Sequence, residues 1–405
     1  MSATATRVFR DRDYTPRTLA AMGREDSRSQ THSRQGQVFD RLMLGAVALL
    51  VGLGVVVVYS SSAALAARAY HDAEHFLGLQ LKWLVLGSLA LVIAARIPGS
   101  WLRRYAVWIF AGAVVLCAIV LIPGVGRYVG GARRWLAFGA LGFQPSELAK
   151  IAVVLALSAF FARQDEQQPE ARVSLLVPVA LVQVPVLLIL AEPDLGTALV
   201  IELIMGILVF SAGLRLRTLA FIGLAALPVF YHLVVSTEFR LLRVLSFIDP
   251  WAYRSTTGYQ VTEALISIGS GGVTGVGLGG GMHKLFFLPE AHTDFVFAIL
   301  AEELGLLGVT LLVSAFGVLL WRGVRAALRA SGSFDAYLAM GISGLIGIPA
   351  VFNLLVATGL LPTKGLPLPL ISYGGSNLLA TLFAIGLLLR IEREGRGTSN
   401  WESTS

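Results

Sequence analysis

Long apolar runs separated by short polar clusters recur from about residue 42 to residue 391. A helix that crosses a bilayer needs about 20 consecutive, mainly apolar residues. That criterion predicts spans near residues 42–62, 79–97, 103–122, 146–162, 174–191, 197–212, 217–235, 296–320, 337–360 and 370–390. The expected fold is an all-α polytopic membrane protein of about ten helices. Residues 39–393 form one membrane domain, flanked by a polar, arginine-bearing tail over 1–38 and a short tail over 394–405.

Composition agrees with this pattern. Of 405 residues, 56% are hydrophobic and 14% charged, against about 25% charged in a soluble chain. The net charge of +7 does not point to nucleic acid, because the arginines cluster in alternate connections between spans, where topology places them on the cytoplasmic side. Both termini are then expected inside the cell. The N-terminal tail has no apolar core of the kind a secretory signal needs. Cys117 is the only cysteine, so neither a disulfide framework nor a thiolate metal site is available.

The same topology leaves three longer polar segments on the outer face: 123–145, 236–295 and 361–369. It also places Lys82, Lys150, Lys284 and Lys364, the chain's four lysines, on or near that side. Snorkelling to headgroups accounts well for Lys82. For Lys150, Lys284 and Lys364, with Arg133, Arg134, Arg240 and Arg243, an anionic ligand such as a lipid diphosphate is the sharper expectation.

Candidate chemistry concentrates in three stretches. LPEAHTDFVFAILAEELG, residues 288–305, sets Glu290, His292 and Asp294 immediately before an apolar helix. Asp294 either caps that helix or, bordered by Phe295, Val296 and Phe297, is a partly desolvated carboxylate suited to act as a general base. Glu290 and His292 could share its proton, orient it, or help hold a divalent cation such as Mg or Mn; three such ligands are an incomplete shell.

GGARRWLAFGALGFQPSELAK, residues 130–150, resembles an interfacial segment entering a helix, with Arg133 and Arg134 ahead of Glu147 and Lys150, which are spaced to pair. LLPTKGLPLPLISYGGSN, residues 360–377, puts Lys364 and several prolines in a tight connection before Ser372. Arg133, Arg134, Glu147, Lys150, Glu290, His292, Lys364 and Ser372 are the candidate substrate-binding residues. Two other features stay open: glycines over 271–281, read as an anion-binding nest or a hinge, and the carboxylates Glu192 and Asp194 in AEPDLGT.

These segments resemble the SEDS family of FtsW, RodA and SpoVE. The resemblance rests on GARRW, FQPSELAK, EPDLGT, FIDPW, SIGSGG, PEAHTDF and PLPLISYGGSN, in that order, and covers nearly the whole chain after residue 40. PTKGLPLPLISYGG, PEAHTDF and the polar N-terminus are more similar to the FtsW branch than to RodA. Asn377 departs from the family, where a second serine commonly follows YGGS.

The resemblance implies ten membrane helices with a large outer loop between the seventh and eighth. It implies polymerisation of lipid II into septal glycan strands beside a class B penicillin-binding protein and other divisome membrane proteins, at the bacterial inner membrane. It also implies that Asp294 is the catalytic residue and that Glu147 and Lys150 line a central cavity. A lipid II flippase and a non-catalytic scaffold are the competing functions. No Ser-x-x-Lys transpeptidase site is present, so cross-linking would fall to the partner.

Overall fold

The computed structural model describes residues 40–129, 131–138, 141–167, 174–235, 238–284 and 291–402. The predicted tail over 1–38, and Glu290 among the candidate residues, lie outside them.

The chain is helical almost throughout: α1 Arg41–Tyr70, α2 His75–Ala94, α3 Gly99–Val120, α4 Pro145–Gln167, α5 Leu176–Ala191, α6 Leu195–Ser211, α7 Leu216–Val235, α8 Glu238–Ile248, α9 Tyr259–Ser270, α10 Val296–Leu328, α11 Ser333–Ala357 and α12 Gly375–Glu402. Among the described residues seven helices are long and apolar enough to cross a membrane, and three shorter apolar ones accompany them. It is a multi-pass membrane protein. α4 is buried on nearly every side, packing against α3, α11 and α6, while α12 packs along α2 and α10 runs between α1 and α11.

Several expectations from sequence are corrected. The 123–145 segment holds a three-stranded antiparallel sheet, β1 Gly126–Val129, β2 Ala132–Phe138 and β3 Leu141–Phe143, in the order β1-β2-β3. Strands this short carry too little period-two pattern to stand out beside apolar helices. α12 continues to Glu402, through most of the expected C-terminal tail, and α1 runs to Tyr70, past the predicted exit at 62.

The predicted span over 296–320 is not one continuous helix either. α10 is broken at Gly305, whose φ of 63° and ψ of −162° are not helical. The glycine-rich run splices this break. The amides of Val276 and Gly277 donate to the carbonyls of Glu302 and Glu303, and those of Leu306 and Leu307 donate to Gly272 and Val273. Each half-helix end in apolar surroundings thereby finds partners for groups that lipid cannot satisfy.

Two buried carboxylates reinforce the splice. Glu302 accepts from Ser267 Oγ and Met282 N, both at 2.8 Å. Glu303 accepts from Ser60 Oγ and Lys284 Nζ, both at 2.6 Å. Residues 272–277 of the glycine run are thus engaged in the splice, and Lys284 is committed to an internal ion pair.

At the end of the bundle opposite Asp294, Arg322 joins Asp40, the N-cap of α1, to Glu392 on α12. Fully buried Arg390 joins Asp335 to Glu394. Four helix ends are tied together there.

Gly275, at φ 79°, would place a Cβ 2.1 Å from the Glu303 carbonyl oxygen. Gly275→Ala should destabilise the protein by about 2 kcal/mol or more, read as a lower melting temperature in detergent, whereas alanine at Gly277's exposed neighbour Leu278 should leave it within about 0.5 kcal/mol.

Candidate active site

Asp294 closes a turn over residues 291–294, one residue outside Phe295, which occupies the N-cap of α10 without a side-chain cap. The turn is held through its backbone. The Asn353 side-chain amide, from α11, donates at 2.8 Å to the carbonyl of Asp294 and at 2.8 Å to that of Leu366. Ser372 Oγ donates to the Thr293 carbonyl, and Tyr373 N donates to that of His292. The 361–374 loop thus lies directly on the Asp294 turn.

Contact with the carboxylate itself is close. A Cβ on Gly365 would sit 2.8 Å from Asp294 Oδ2, so any larger residue there would displace the carboxylate. Arg243, from α8, donates to the Thr363 carbonyl at 3.3 Å. Burial lowers the Arg243 guanidinium from its ordinary value, and the charge of nearby Asp294 offsets part of that shift. Half-buried Lys364 is the residue beside Gly365. Asp294 therefore lies within reach of the Arg243 charge and against the backbone of the loop that carries Lys364, and a carboxylate beside a guanidinium suits proton removal next to an anionic leaving group.

Glu147 and Lys150 pair at 2.9 Å with both side chains buried. Asn377 Nδ2 donates at 3.1 Å to the second Glu147 oxygen, so the residue that departs from the family pattern completes this cluster between α4 and α12. Among the described residues no group of three or more His, Cys, Asp or Glu side chains could hold a metal ion. Glu290, one of the three groups considered for a divalent cation, lies outside the described residues.

The sequence matches the family model described as "Cell cycle protein", for FtsW, RodA and SpoVE, over residues 40–397. The chain belongs to the FtsW/RodA/SpoVE family. It is 42% identical over 359 residues to a probable peptidoglycan glycosyltransferase FtsW of Geobacter sulfurreducens, covering 89% of this chain and 96% of that one. A protein of the same name from Legionella pneumophila is 39% identical over 381 residues, 93% of this chain and 96% of the relative.

Among solved structures, one described as "Structural coordination of polymerization and crosslinking by a peptidoglycan synthase complex" matches with a TM-score of 0.74 and 34% identity, over 89% of this chain and 99% of that one. The Rod shape determining protein RodA of Thermus thermophilus matches with a TM-score of 0.66 and 34% identity, over 88% and 98%.

Within this FtsW/RodA/SpoVE member, two candidate substrate-binding residues prove to be spent on structure. Arg134, on β2, donates from Nε to the Glu192 carbonyl at 2.8 Å and from Nη2 to that of Pro193 at 2.7 Å. It clamps the sheet to the α5–α6 turn. Ser372 is buried, accepting from Leu368 N while it donates to Thr293. Arg133 is half-buried on the same strand, without a side-chain hydrogen bond to the described residues.

Asn353 and Gly365 were missed by sequence reasoning, since an asparagine in an apolar span and a glycine between lysine and leucine carry no local sign of contact with a carboxylate. The asparagine alone had a signal, being a polar side chain in a membrane helix.

The α5–α6 turn carries a further titratable group. Asp194 caps α6 by accepting from Thr197 N and Oγ1. Buried Glu192 has neither carboxyl oxygen hydrogen-bonded to the described residues. Burial first, then the Asp194 charge, push Glu192 up to about 8 from the ordinary 4.5, with Arg134 opposing. The folded state therefore binds this proton more tightly than the unfolded chain. Stability from Glu192 is fully present below about pH 4.5 and is lost as pH rises through about 8. Glu192→Gln should flatten the fall in melting temperature between pH 5 and 9, and a native-like slope would contradict the buried neutral carboxyl.

Proposed function

We propose that this chain is a peptidoglycan glycosyltransferase that polymerises lipid II into glycan strands during septal wall synthesis. The observation that carries the reading is the Asp294 carboxylate, held by its backbone against the 361–374 loop and within reach of the Arg243 charge. The FtsW name of its relatives and the synthase complex among its structural neighbours support it.

The chemistry has two difficulties, a weakly nucleophilic hydroxyl and a diphosphate that leaves as an anion. Asp294 takes the proton of the acceptor sugar hydroxyl as its oxygen bonds to the donor's anomeric carbon. The bond from that carbon to the lipid diphosphate breaks, the electron pair leaves with the diphosphate, and an α linkage becomes β. Arg243 and Lys364 offset the departing charge. This replaces the role that the sequence suggested for Lys150 and Arg134, which are paired internally.

The protein works in the bacterial inner membrane at the division septum, with both termini in the cytoplasm. Its partners are a class B penicillin-binding protein, which supplies the cross-linking chemistry that this chain lacks, and other divisome membrane proteins. His292 shapes the approach to Asp294.

General-base catalysis contributes about 10² to 10⁴ in rate, so Asp294→Asn should reduce glycan formation from purified lipid II by that factor in an intact complex with the partner. Polymer at native rates from Asp294→Asn would remove the base. Absence of polymer from the native complex, with lipid II crossing liposomes unaltered, would favour a flippase.

Gly365→Ala tests the positioning separately. Displacing the carboxylate by about 1 Å should cost up to about 10²-fold in turnover with the melting temperature unchanged; full turnover in that variant would show that the loop does not set the carboxylate's place.

A further inference from the structure

The turn between α1 and α2, residues 70–76, has so far no part in the chemistry. It reads Tyr-His-Asp-Ala-Glu-His-Phe, and its rings are organised. Tyr70 and His75 stack at 4.1 Å with planes 8° apart. Phe76 meets both edge-on, at 5.7 and 5.5 Å. It also contacts His292 at 4.9 Å and Tyr373 at 5.1 Å, and these two lie 5.8 Å apart.

Phe76 is the hub that joins this turn to His292, two residues before Asp294, and to Tyr373, whose amide binds the His292 carbonyl. The inner rings are partly covered. Tyr70, at the outer end of the array, keeps 53% of its surface exposed although one face rests on His75. His71, Asp72 and Glu74 are exposed around it. Burial and then the neighbouring Tyr70 phenol push the Tyr373 hydroxyl up from its ordinary value, which sets the two phenols close together.

We propose that Tyr70, supported by His75, is a stacking platform for a pyranose ring of the glycan being built, beside the Asp294 centre. The inference rests on the glycosyltransferase reading above. The axial C–H bonds of a pyranose make an apolar face that lies on an aromatic ring, while its equatorial hydroxyls need polar partners at the rim. An exposed ring backed by a second ring, fringed by His71, Asp72 and Glu74, and joined through Phe76 to the turn of the base offers both. Tyrosine supplies contact area and a polar tip together. Aromatic residues also collect singly at membrane interfaces; a lipid-facing belt does not require five rings converging on the segment that carries Asp294.

The sugar belongs either to incoming lipid II or to the nascent strand, and kinetics separate the two. The test compares native protein, Tyr70→Ala and Tyr70→Phe, each in complex with its class B partner, for the lipid II dependence of initial rate and for strand length. Tyr70→Ala should raise KM for lipid II roughly fivefold to tenfold if the platform holds the monomer, or shorten the strands by a similar factor if it holds the nascent chain. In both cases kcat falls less than the affected quantity changes, and Tyr70→Phe, which keeps the ring, restores it to within about twofold.

Native KM and strand length in Tyr70→Ala would overturn the proposal, as would equal defects in Tyr70→Ala and Tyr70→Phe. If Tyr70→Ala melts at a lower temperature, Tyr70→Leu, apolar and without a ring, takes its place; a native Tyr70→Leu enzyme would reduce the array to packing. Polymer from the native complex with no response to Tyr70 variants rejects the platform alone, whereas no polymer from the native complex rejects the glycosyltransferase reading beneath it.

Discussion

The Asn353 amide bridges the carbonyls of Asp294 and Leu366, and the geometry around the proposed base depends on that bridge. Main-chain groups at the mouth of a membrane bundle must find partners inside the protein wherever lipid excludes water. Here Asn353, Ser372 and Tyr373 satisfy the carbonyls of Asp294, Thr293 and His292 in turn. The backbone is fixed through its own acceptors, so the carboxylate's place is set by bonds that its oxygens do not make. Gly365 then lets the loop pass within contact of that carboxylate.

The same economy explains the cations that face this end of the bundle. An ion buried in apolar surroundings is costly unless paired and hydrogen-bonded. Lys150 with Glu147, and Lys284 with Glu303, answer each other, and Arg134 gives two of its donors to carbonyls. Near Asp294 stands Arg243, with Lys364 on the adjoining loop next to Gly365. Breaking α10 at Gly305 is part of the same arrangement, because the splice to residues 272–277 anchors the half-helix that begins just after Asp294.

The sequence by itself determined the helical membrane class and the family, because apolar runs of bilayer length and a series of ordered motifs are local properties of the chain; the same motifs singled out Asp294 as the candidate base. That the segments carrying His292 and Lys364 meet is seen only in the structure. Tertiary structure alone decided which polar groups are spent on the fold. Arg134 and Ser372 looked available because a sequence does not show that the carbonyls of Glu192, Pro193 and Thr293 lie opposite them. The glycine run looked like a nest or a hinge because its partner, the break in α10, begins more than twenty residues later. The carbonyls that Asn353 meets and the Tyr70 array were invisible for the same physical reason: hydrogen bonds and ring stacking act over a few ångströms in space, and those neighbours are brought together only when the helices pack.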